Sequence, residues 1–332
     1  MNGERELLQR LQAGPATGDE LAAASGLTRA AIWKRVEALR QAGVGIEARP
    51  GRGYALAQPL DWLEADAIRA ALAPAQRALL AGLDVAWSLD STNSELLRRA
   101  APARGSAVLL AERQTGGRGR RGREWASPLA AHLYLSLARQ FSGGLARLGG
   151  LSLVAGVAAA EALQEAGFGD VRLKWPNDLV VAAPDAALRK LGGLLVEIGG
   201  GAVVSCTADP APAVIGIGVN VRMPAAFAAR IDQPWIDLQA LSPRPVSRNL
   251  IAAALLSKLL PALERFDAEG LAPFAARYAA LDALAGREVA VHAAEGVRHG
   301  VAAGIAEDGA LRVRIDGREQ RVHAGEVSVR AA

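Results

Sequence analysis

Gly116-Gly117-Arg118-Gly119-Arg120-Arg121-Gly122-Arg123 is the most informative stretch of the 332-residue chain. Four glycines and four arginines in eight residues cannot form a core element, so the stretch is predicted to be a loop. The β-prone run 107–112 precedes it and the run 133–137 follows it, and each run is predicted to be a strand. The loop, hereafter the arginine–glycine loop, is therefore expected to lie within a β-sheet.

The composition of this loop is typical of a site for an anionic ligand. Glycines leave backbone N–H groups accessible, and arginine guanidinium groups match phosphate or carboxylate oxygens. Trp125, just after the loop, offers an aromatic surface. The loop lacks the lysine and hydroxyl ending of a Walker A loop and the placement of a Rossmann turn. A disordered RNA-binding tract remains the alternative, although such tracts usually repeat and lie in tails.

Polar residues at the ends of other predicted strands form further candidates for the ligand site. Gln114 begins the loop, and Ser91, Thr92 and Asn93 follow the strand predicted at 85–89. These three residues offer hydrogen bonds to a ligand, or they simply cap the next helix.

Three further blocks follow along the chain. Asn177 and Asp178 follow Trp175-Pro176, and they can hold a metal–phosphate complex or form an ordinary turn. Lys190 precedes the strand predicted at 191–198, where it can neutralise phosphate or remain a solvated charge. Asn220 ends the run 214–220, in which alternate glycines leave room for a flat ligand.

The first 60 residues predict a winged helix-turn-helix. Three short amphipathic helices separated by Gly14-Pro15 and Gly26 precede two short strands, expected at 44–47 and 54–56. Cations on the third helix and the basic hairpin suit phosphate contacts, and the helix suits the DNA major groove. The candidate DNA-binding residues are Thr28, Arg29, Lys34, Arg35, Arg49 and Arg52. Use of this fold for protein contacts alone is the alternative.

Composition and the remaining segments set the broad class. The sequence is 51% hydrophobic and 22% charged, which is globular, and its net charge of +4 suits a polyanionic partner. The single cysteine, Cys206, is expected to be a buried inert thiol and excludes a disulfide framework. No apolar signal or membrane span is found, so a cytoplasmic protein is expected. Two helices are predicted over 247–281, and five short strands after residue 286 predict a small barrel.

Four of these blocks resemble the biotin–protein ligases in order and spacing: the arginine–glycine loop with Trp125, Lys174–Asp178, Lys190 with 193–197, and 216–220. With its front and closing segments, the chain resembles the bifunctional members, which also repress the biotin operon. The resemblance implies an α/β (α+β) protein in three parts. These are a winged helix-turn-helix at 1–60, a mixed sheet related to class II aminoacyl-tRNA synthetases at 61–282, and an SH3-like β-barrel at 283–332.

The resemblance also implies roles for individual residues. Biotin would contact Ser91, Thr92, Asn93, Gln114, Gly117, Arg118, Arg120 and Lys190. The nucleotide would contact Arg120, Arg121, Arg123, Trp125, Asn177, Asp178, Asn220 and Trp235. Lys190, Arg120 and Asp178 are the candidate catalytic residues. No fixed metal site is expected, because Mg²⁺ would arrive with ATP and lie near Asp178.

The implied reaction forms biotinoyl-5'-AMP from biotin and ATP and then transfers biotin to a lysine of the biotin carboxyl carrier protein of acetyl-CoA carboxylase. The implied regulation has the adenylate as corepressor, favouring a homodimer that binds operator DNA of biotin-synthesis genes. Two alternatives stay open at this point. One is a lipoate or octanoate ligase with the same fold, and the other is a biotin-binding regulator without transfer activity.

Overall fold

The computed structural model of the chain describes residues 3–199, 210–293, 296–324 and 328–331. Cys206, expected to be a buried thiol, lies outside the described residues. No helix in the described ranges is both long and apolar enough to cross a membrane.

The N-terminal segment is the predicted winged helix. Its elements are α1 (Gly3–Gln12), α2 (Gly18–Ser25), α3 (Arg29–Gln41), β1 (Ile46–Arg49) and β2 (Gly53–Leu56). A capping box begins α2, because Thr17 and Glu20 exchange side-chain to backbone hydrogen bonds of 3.2 and 2.7 Å. Gly26 ends α2 with φ of 66°, and Thr28 caps α3. The helix ends therefore agree with the sequence prediction, whereas the first strand, expected at 44–47, lies at Ile46–Arg49.

A separate hydrophobic cluster holds the winged helix together. Leu8, Ile32, Val36 and Leu39 are fully buried in it because they lie on facing sides of α1 and α3. Residues 129–130 of the central segment belong to the same cluster. The Leu129 N–H donates a 2.8 Å hydrogen bond to the Ala42 carbonyl. The residues that follow the arginine–glycine loop therefore pack directly on the winged helix.

A seven-stranded mixed sheet forms the centre of the molecule, in the order β3-β4-β5-β9-β8-β7-β6. The strands are β3 (Leu80–Ala86), β4 (Ser106–Ala111), β5 (Leu133–Phe141), β6 (Val171–Lys174), β7 (Asp178–Ala182), β8 (Leu188–Ile198) and β9 (Ala211–Val219). The pair β3–β4 is parallel and the other pairs are antiparallel. The predicted mixed sheet is confirmed.

Helices accompany the central sheet. They are α4 (Ala65–Ala70), α5 (Pro74–Arg77), α6 (Thr92–Arg98), α7 (Leu151–Glu165), α8 (Ala225–Ala228), α9 (Arg248–Glu269) and α10 (Ala275–Leu281). α7 is buried along most of its length and packs against α9, as its apolar composition predicts. One helix was expected between residues 61 and 80, but two short helices form because Pro74 begins a new one.

The last segment is a five-stranded antiparallel sheet, in the order β13-β12-β11-β10-β14. Its strands are β10 (Glu288–Ala293), β11 (Gly296–Ile305), β12 (Leu311–Ile315), β13 (Arg318–Val322) and β14 (Ser328–Ala331). Val289, Val291, Leu311 and Val313 bury their side chains in the same core as the central sheet. The C-terminal sheet therefore shares a hydrophobic core with the central sheet.

His132 is a fully buried neutral histidine at the start of β5. Its Nδ1 accepts a 3.0 Å hydrogen bond from the Val221 N–H. Burial, with smaller contributions from the nearby charges of Arg248 and Arg222, lowers the pKa of His132 from 6.5 to about 3. The folded protein therefore resists protonation that the unfolded chain accepts.

Because the pKa of His132 is lowered in the folded protein, we expect the free energy of unfolding to decrease in mild acid. The contribution of this histidine is complete above pH 6.5 and is lost as the pH falls from there towards 3, by up to about tenfold in the folding constant per pH unit. His132→Asn, whose amide oxygen can still accept from Val221, should flatten this dependence. Urea unfolding of both proteins at pH 7.5 and 5 measures it, and parallel pH profiles would contradict the assignment.

Candidate active site

A cavity of about 910 Å³ opens at one end of the central sheet. Residues from distant parts of the chain line this cavity. The predicted site residues among them are Ser91, Thr92, Asn93, Gln114, Arg118, Arg120, Arg121, Arg123, Trp125, Asn177, Asp178, Lys190, Asn220 and Trp235. The structure therefore brings almost the whole set of predicted site residues into one cavity. Gly117 lies buried in the adjoining loop.

One end of the cavity presents small polar side chains in fixed orientations. The Thr92 N–H and hydroxyl both donate to Gln114 Oε1, at 2.9 and 3.2 Å. The Gln114 amide nitrogen donates to Ser127 Oγ at 3.4 Å, which defines the direction of the amide. Ser91 caps α6 by accepting from the Ser94 N–H. Capping and a position in the cavity are thus compatible, and this end suits a small ligand with amide-like groups.

The arginine–glycine loop is an ordered hairpin. The Gly116 N–H donates a 2.8 Å hydrogen bond to the Asp90 carbonyl, which fixes the start of the loop to the turn between β3 and α6. Across the hairpin, the Trp125 N–H donates to the Gly117 carbonyl at 2.9 Å, and the Gly119 N–H donates to the Arg123 carbonyl at 2.7 Å. The backbone thereby turns its tip over the cavity.

The glycines of β9 leave room above the sheet, and side chains of the protein itself occupy part of this room. A Cβ at Gly218 would lie 2.6 Å from Cε2 of Trp125, so only glycine lets this indole rest on the sheet. The Asn93 side chain lies in the same way over Gly216. The space predicted above alternate glycines is therefore partly taken by Trp125 and Asn93, which form the cavity floor.

The four arginines of the loop differ in their surroundings. Arg118 forms an ion pair with Glu197 at 2.9 Å. Arg120 is half-buried, and it donates to Asn177 Oδ1 at 3.4 Å and to the Ala324 carbonyl of the C-terminal sheet. Burial and then the charge of Arg121 lower the pKa of Arg120, whereas Asp178 opposes this. Arg121 and Arg123 also line the cavity, and both are exposed at the tip of the loop.

Lys190 lies in the middle of the cavity wall. Its ammonium group is 2.7 Å from Asp178 Oδ1 and 5.5 Å from the centre of the Trp125 ring. Its carbonyl accepts from Asn220 Nδ2 at 3.3 Å, and its N–H donates to the Pro234 carbonyl at 2.9 Å. The lysine is thus held between the strand that carries Asp178 and the segment that carries Trp235.

The turn at 175–177 joins β6 and β7, a strand that the sequence did not predict. Lys174 and Asp178 face each other across the hairpin, and the Trp175–Pro176 peptide is cis. Asn177 Nδ2 donates to the Leu194 carbonyl at 2.7 Å, which aims its oxygen at Arg120. This geometry explains why the turn places an amide oxygen and a carboxylate side by side.

Comparison with known proteins identifies the family. The biotin/lipoate A/B protein ligase family model matches residues 85–220, an HTH domain model matches 4–55, and the biotin protein ligase C-terminal domain model matches 285–330. The chain is 40% identical over 316 residues to the bifunctional ligase/repressor BirA of Salmonella typhimurium, covering 95% of this chain and 93% of that protein. The chain belongs to the biotin protein ligase family.

Further relatives agree with this assignment. The Escherichia coli bifunctional ligase/repressor BirA is 39% identical over 95% of this chain and 93% of its own. The structure of the Aquifex aeolicus biotin protein ligase in complex with biotin and ATP is 25% identical, covers 76% of this chain and 100% of that one, and has a TM-score of 0.61. The resemblance inferred from the sequence and the fold class are both confirmed.

The donor set of the ligase fits a metal ion that arrives with a nucleotide. Among the described residues, no group of three or more acidic, histidine or cysteine side chains could hold a metal ion. Asp178 supplies one carboxylate and Asn177 one amide oxygen. Mg²⁺ usually takes one or two protein carboxylates together with phosphate oxygens, so this sparse set is suitable.

The predicted DNA-binding residues all belong to the winged helix. Lys34, Arg29, Arg49 and Arg52 are exposed, and Arg35 is half-buried near the start of α1. Arg29 is 3.7 Å from Asp19, and Arg49 is 3.1 Å from Glu47, so both cations are partly balanced. Thr28 is exposed and also caps α3.

Sequence reasoning missed three residues that the ligase structure brings into these surfaces. Glu197 was quoted within a strand but not as a site residue, although it binds Arg118. The Ala324 carbonyl contacts the loop from more than 200 residues away, which no local pattern could show. Trp33 is 54% exposed on α3, and its place beside Lys34 could have been noticed from helical spacing.

Proposed function

We propose that this chain, a biotin–protein ligase by family, joins biotin to ATP in the described cavity and transfers the biotinoyl group to a lysine of the biotin carboxyl carrier protein of acetyl-CoA carboxylase. The observation that carries this proposal is the convergence of the arginine–glycine loop, Lys190 and the 175–178 turn on one cavity. Two anionic substrates can meet there because the walls carry an excess of cations.

The first step makes a mixed anhydride. A carboxylate oxygen of biotin attacks the α-phosphorus of ATP, the bond to the β-phosphate oxygen breaks, and pyrophosphate leaves. Lys190 would exchange its contact with Asp178 for the developing negative charge, because both lie on the cavity wall 2.7 Å apart. Arg120, Arg121 and Arg123 would offset the repulsion between the reacting anions. Bound Mg²⁺ would supply further charge neutralisation, near Asp178 and Asn177.

Substrate placement follows from the two ends of the cavity. Ser91, Thr92 and Gln114, with Gly117 and Arg118, would hold the biotin end, with Asn93 fixing the floor beneath them. Asn220, Trp125 and Trp235 would surround the nucleotide. In the second step, a carrier lysine amine attacks the acyl carbon and AMP leaves. The loop would keep water from the anhydride until then.

The test is pyrophosphate release by the purified protein with ATP and Mg²⁺, offering biotin, octanoate and lipoate separately. Release with biotin alone, followed by label transfer to a biotin-acceptor domain, is the expected result. Release with octanoate or lipoate would favour the rival ligase class. Binding of biotin without release or transfer would indicate a regulator that lacks the enzymatic activity.

We also propose that the winged helix binds operator DNA of biotin-synthesis genes, with biotinoyl-5'-AMP as corepressor favouring a homodimer. The exposed cations on α3 and on the β1–β2 hairpin support this. We divide the chain into a DNA-binding part at 1–60, a catalytic part at 61–282 and a C-terminal part at 283–332. The first boundary is supported by the hydrophobic cluster around Leu8 and Val36, most of whose buried members lie within residues 1–60. We place the protein in the cytoplasm.

Lys34→Ala should weaken DNA binding with little effect on ligation. Loss of one phosphate contact lowers the slope of log affinity against log salt by about 1. Fluorescence anisotropy with a duplex from upstream of biotin-synthesis genes and a random duplex measures this, with biotin and ATP present. Arg77→Ala, an exposed cation on α5, is the control. Equal affinity of the parent protein for both duplexes would remove the repressor role.

A further inference from the structure

Glu197 binds two different parts of the active site at once. Its Oε1 lies 2.9 Å from Nη2 and 3.3 Å from Nε of Arg118, and its Oε2 lies 3.0 Å from the same Nη2. Oε2 also accepts a 2.8 Å hydrogen bond from Asn93 Nδ2. The carboxylate therefore joins the arginine–glycine loop to the first turn of α6.

The bonds behind Glu197 hold it in place. Asn93 is 3% exposed, and its Oδ1 accepts a 2.6 Å hydrogen bond from the buried Ser136 hydroxyl. The Asn93 amide also donates 3.2 Å to the Leu195 carbonyl. The Ser136 hydroxyl lies 2.7 Å from Thr92 Oγ1, so the residue proposed to bind biotin belongs to the same network. Buried hydrogen-bond networks of this kind restrict the arrangement of their members.

Arg118 is fully engaged by these partners. Besides Glu197, its Nη1 donates 2.6 Å to Ser94 Oγ. A bidentate ion pair balances the charge of Arg118, so its guanidinium adds little net attraction for an incoming carboxylate. Because Arg118 also faces Glu124 across the hairpin, a fixed Arg118 fixes both sides of the loop.

We propose that Glu197 is a positioning residue for the ligase reaction, which holds the arginine–glycine loop in the observed hairpin through Arg118. The inference rests on the proposed function. This hairpin places Trp125 on Gly218, where the indole forms part of the cavity. Without the ion pair, ordering the loop around each substrate would cost more of the binding free energy.

Glu197→Gln tests the proposal in kinetics. The amide can still bind Asn93 but loses the charge, so the KM for biotin and the release rate of biotinoyl-5'-AMP should each rise about 10- to 100-fold. The kcat at saturating biotin should stay within about threefold. If Glu197 instead competed with biotin for Arg118, the variant would bind biotin more tightly, and this result would overturn the proposal.

A double-mutant cycle and proteolysis complete the test. Arg118→Ala combined with Glu197→Gln should be no worse than Arg118→Ala alone, whereas additive effects would count against coupling. Trypsin should cut the loop of ligand-free Glu197→Gln faster than that of the parent. This readout needs no activity, so it tests the anchor even if the ligase proposal fails. An unchanged cleavage rate would refute the anchor.

Glu161→Gln is the matched control. Glu161 pairs with Arg277 through two hydrogen bonds of 2.8 and 2.5 Å, and the two side chains are 25% and 34% exposed. Glu197 and Arg118 are 27% and 31% exposed. The control removes an equivalent ion pair away from the cavity, so its KM, adenylate release and loop cleavage should match the parent.

Discussion

Arg120→Ala is expected to release biotinoyl-5'-AMP about 100-fold faster than the parent protein, while the stability of the ligand-free protein changes little. Arg120 is half-buried at the tip of the loop, next to Asn177 and within the field of Asp178. In the complex it would face phosphate and carboxylate oxygens. A charge-assisted hydrogen bond at a site with little water contributes about 2–3 kcal/mol, and about 1.4 kcal/mol corresponds to tenfold.

The weak effect on stability has a structural reason. In the ligand-free protein, Arg120 donates a long hydrogen bond to the Asn177 side chain and another to the Ala324 carbonyl. Neither bond involves a buried residue of the central hydrophobic core. Burial lowers the pKa of Arg120, which indicates that an anion would be a better partner than the present ones. The side chain is therefore arranged for a ligand.

Stopped-flow release of preformed adenylate and thermal unfolding of the ligand-free protein measure the two effects. Arg104→Ala, an exposed arginine before β4, should change neither quantity. A parallel loss of stability and retention would mean that Arg120 supports the fold. Unchanged retention would remove Arg120 from the phosphate site.

The winged helix shows how far local sequence patterns reach. Thr17 and Glu20 with capping-box spacing, and Gly26 at a helix end, are local signals that the structure reproduces. β7 was missed because it begins at Asp178, directly after Pro176 and Asn177, and this sequence is typical of a turn. Its strand character comes from pairing with β6 and β8, and that is a tertiary effect.

The candidate site divides in the same way. Lys190 and Asp178 could both be predicted as site residues, but their places in the sheet could not. Lys190, expected just before its strand, lies within β8 (Leu188–Ile198), and Asp178 begins β7, which was not predicted. Their 2.7 Å contact could not be predicted either, since it depends on the register of β7 against β8, which shifts at this point. The pairing of Arg118 with Glu197 likewise depends on where the loop folds back. The family resemblance identified the site residues, but the residues that each of them contacts could be identified only from the fold.

The ion pair between Arg248 and Glu112 carries the largest expected effect on stability. The two side chains are 2% and 4% exposed, and Arg248 Nη2 lies 2.8 Å from Glu112 Oε2. Glu112 Oε1 accepts from the Leu63 N–H at 2.7 Å, and Arg248 donates to the carbonyls of Asp61 and His132. Removing either partner leaves a buried charge without its counterion.

Glu112→Ala should therefore destabilise the protein by about 3–5 kcal/mol, and Arg248→Met by a similar amount. Urea unfolding followed by circular dichroism measures both. Arg265→Ala breaks the ion pair between Arg265 and Glu269, whose side chains are 50% and 52% exposed, respectively. This change should lower the free energy of unfolding by less than about 0.5 kcal/mol. Equal losses in the buried and exposed variants would contradict the importance of burial.

The double variant separates the ion pair from its hydrogen bonds. If the buried charge dominates, Glu112→Ala with Arg248→Met should cost clearly less than the sum of the single losses, because neither charge remains unpaired. The remaining loss would then belong to the Leu63 N–H and to the Asp61 and His132 carbonyls, which lose their partners. An additive result would instead mean that these backbone bonds, which fix the linker at 61–63 to β4 and β5, stabilise the junction independently of the charges.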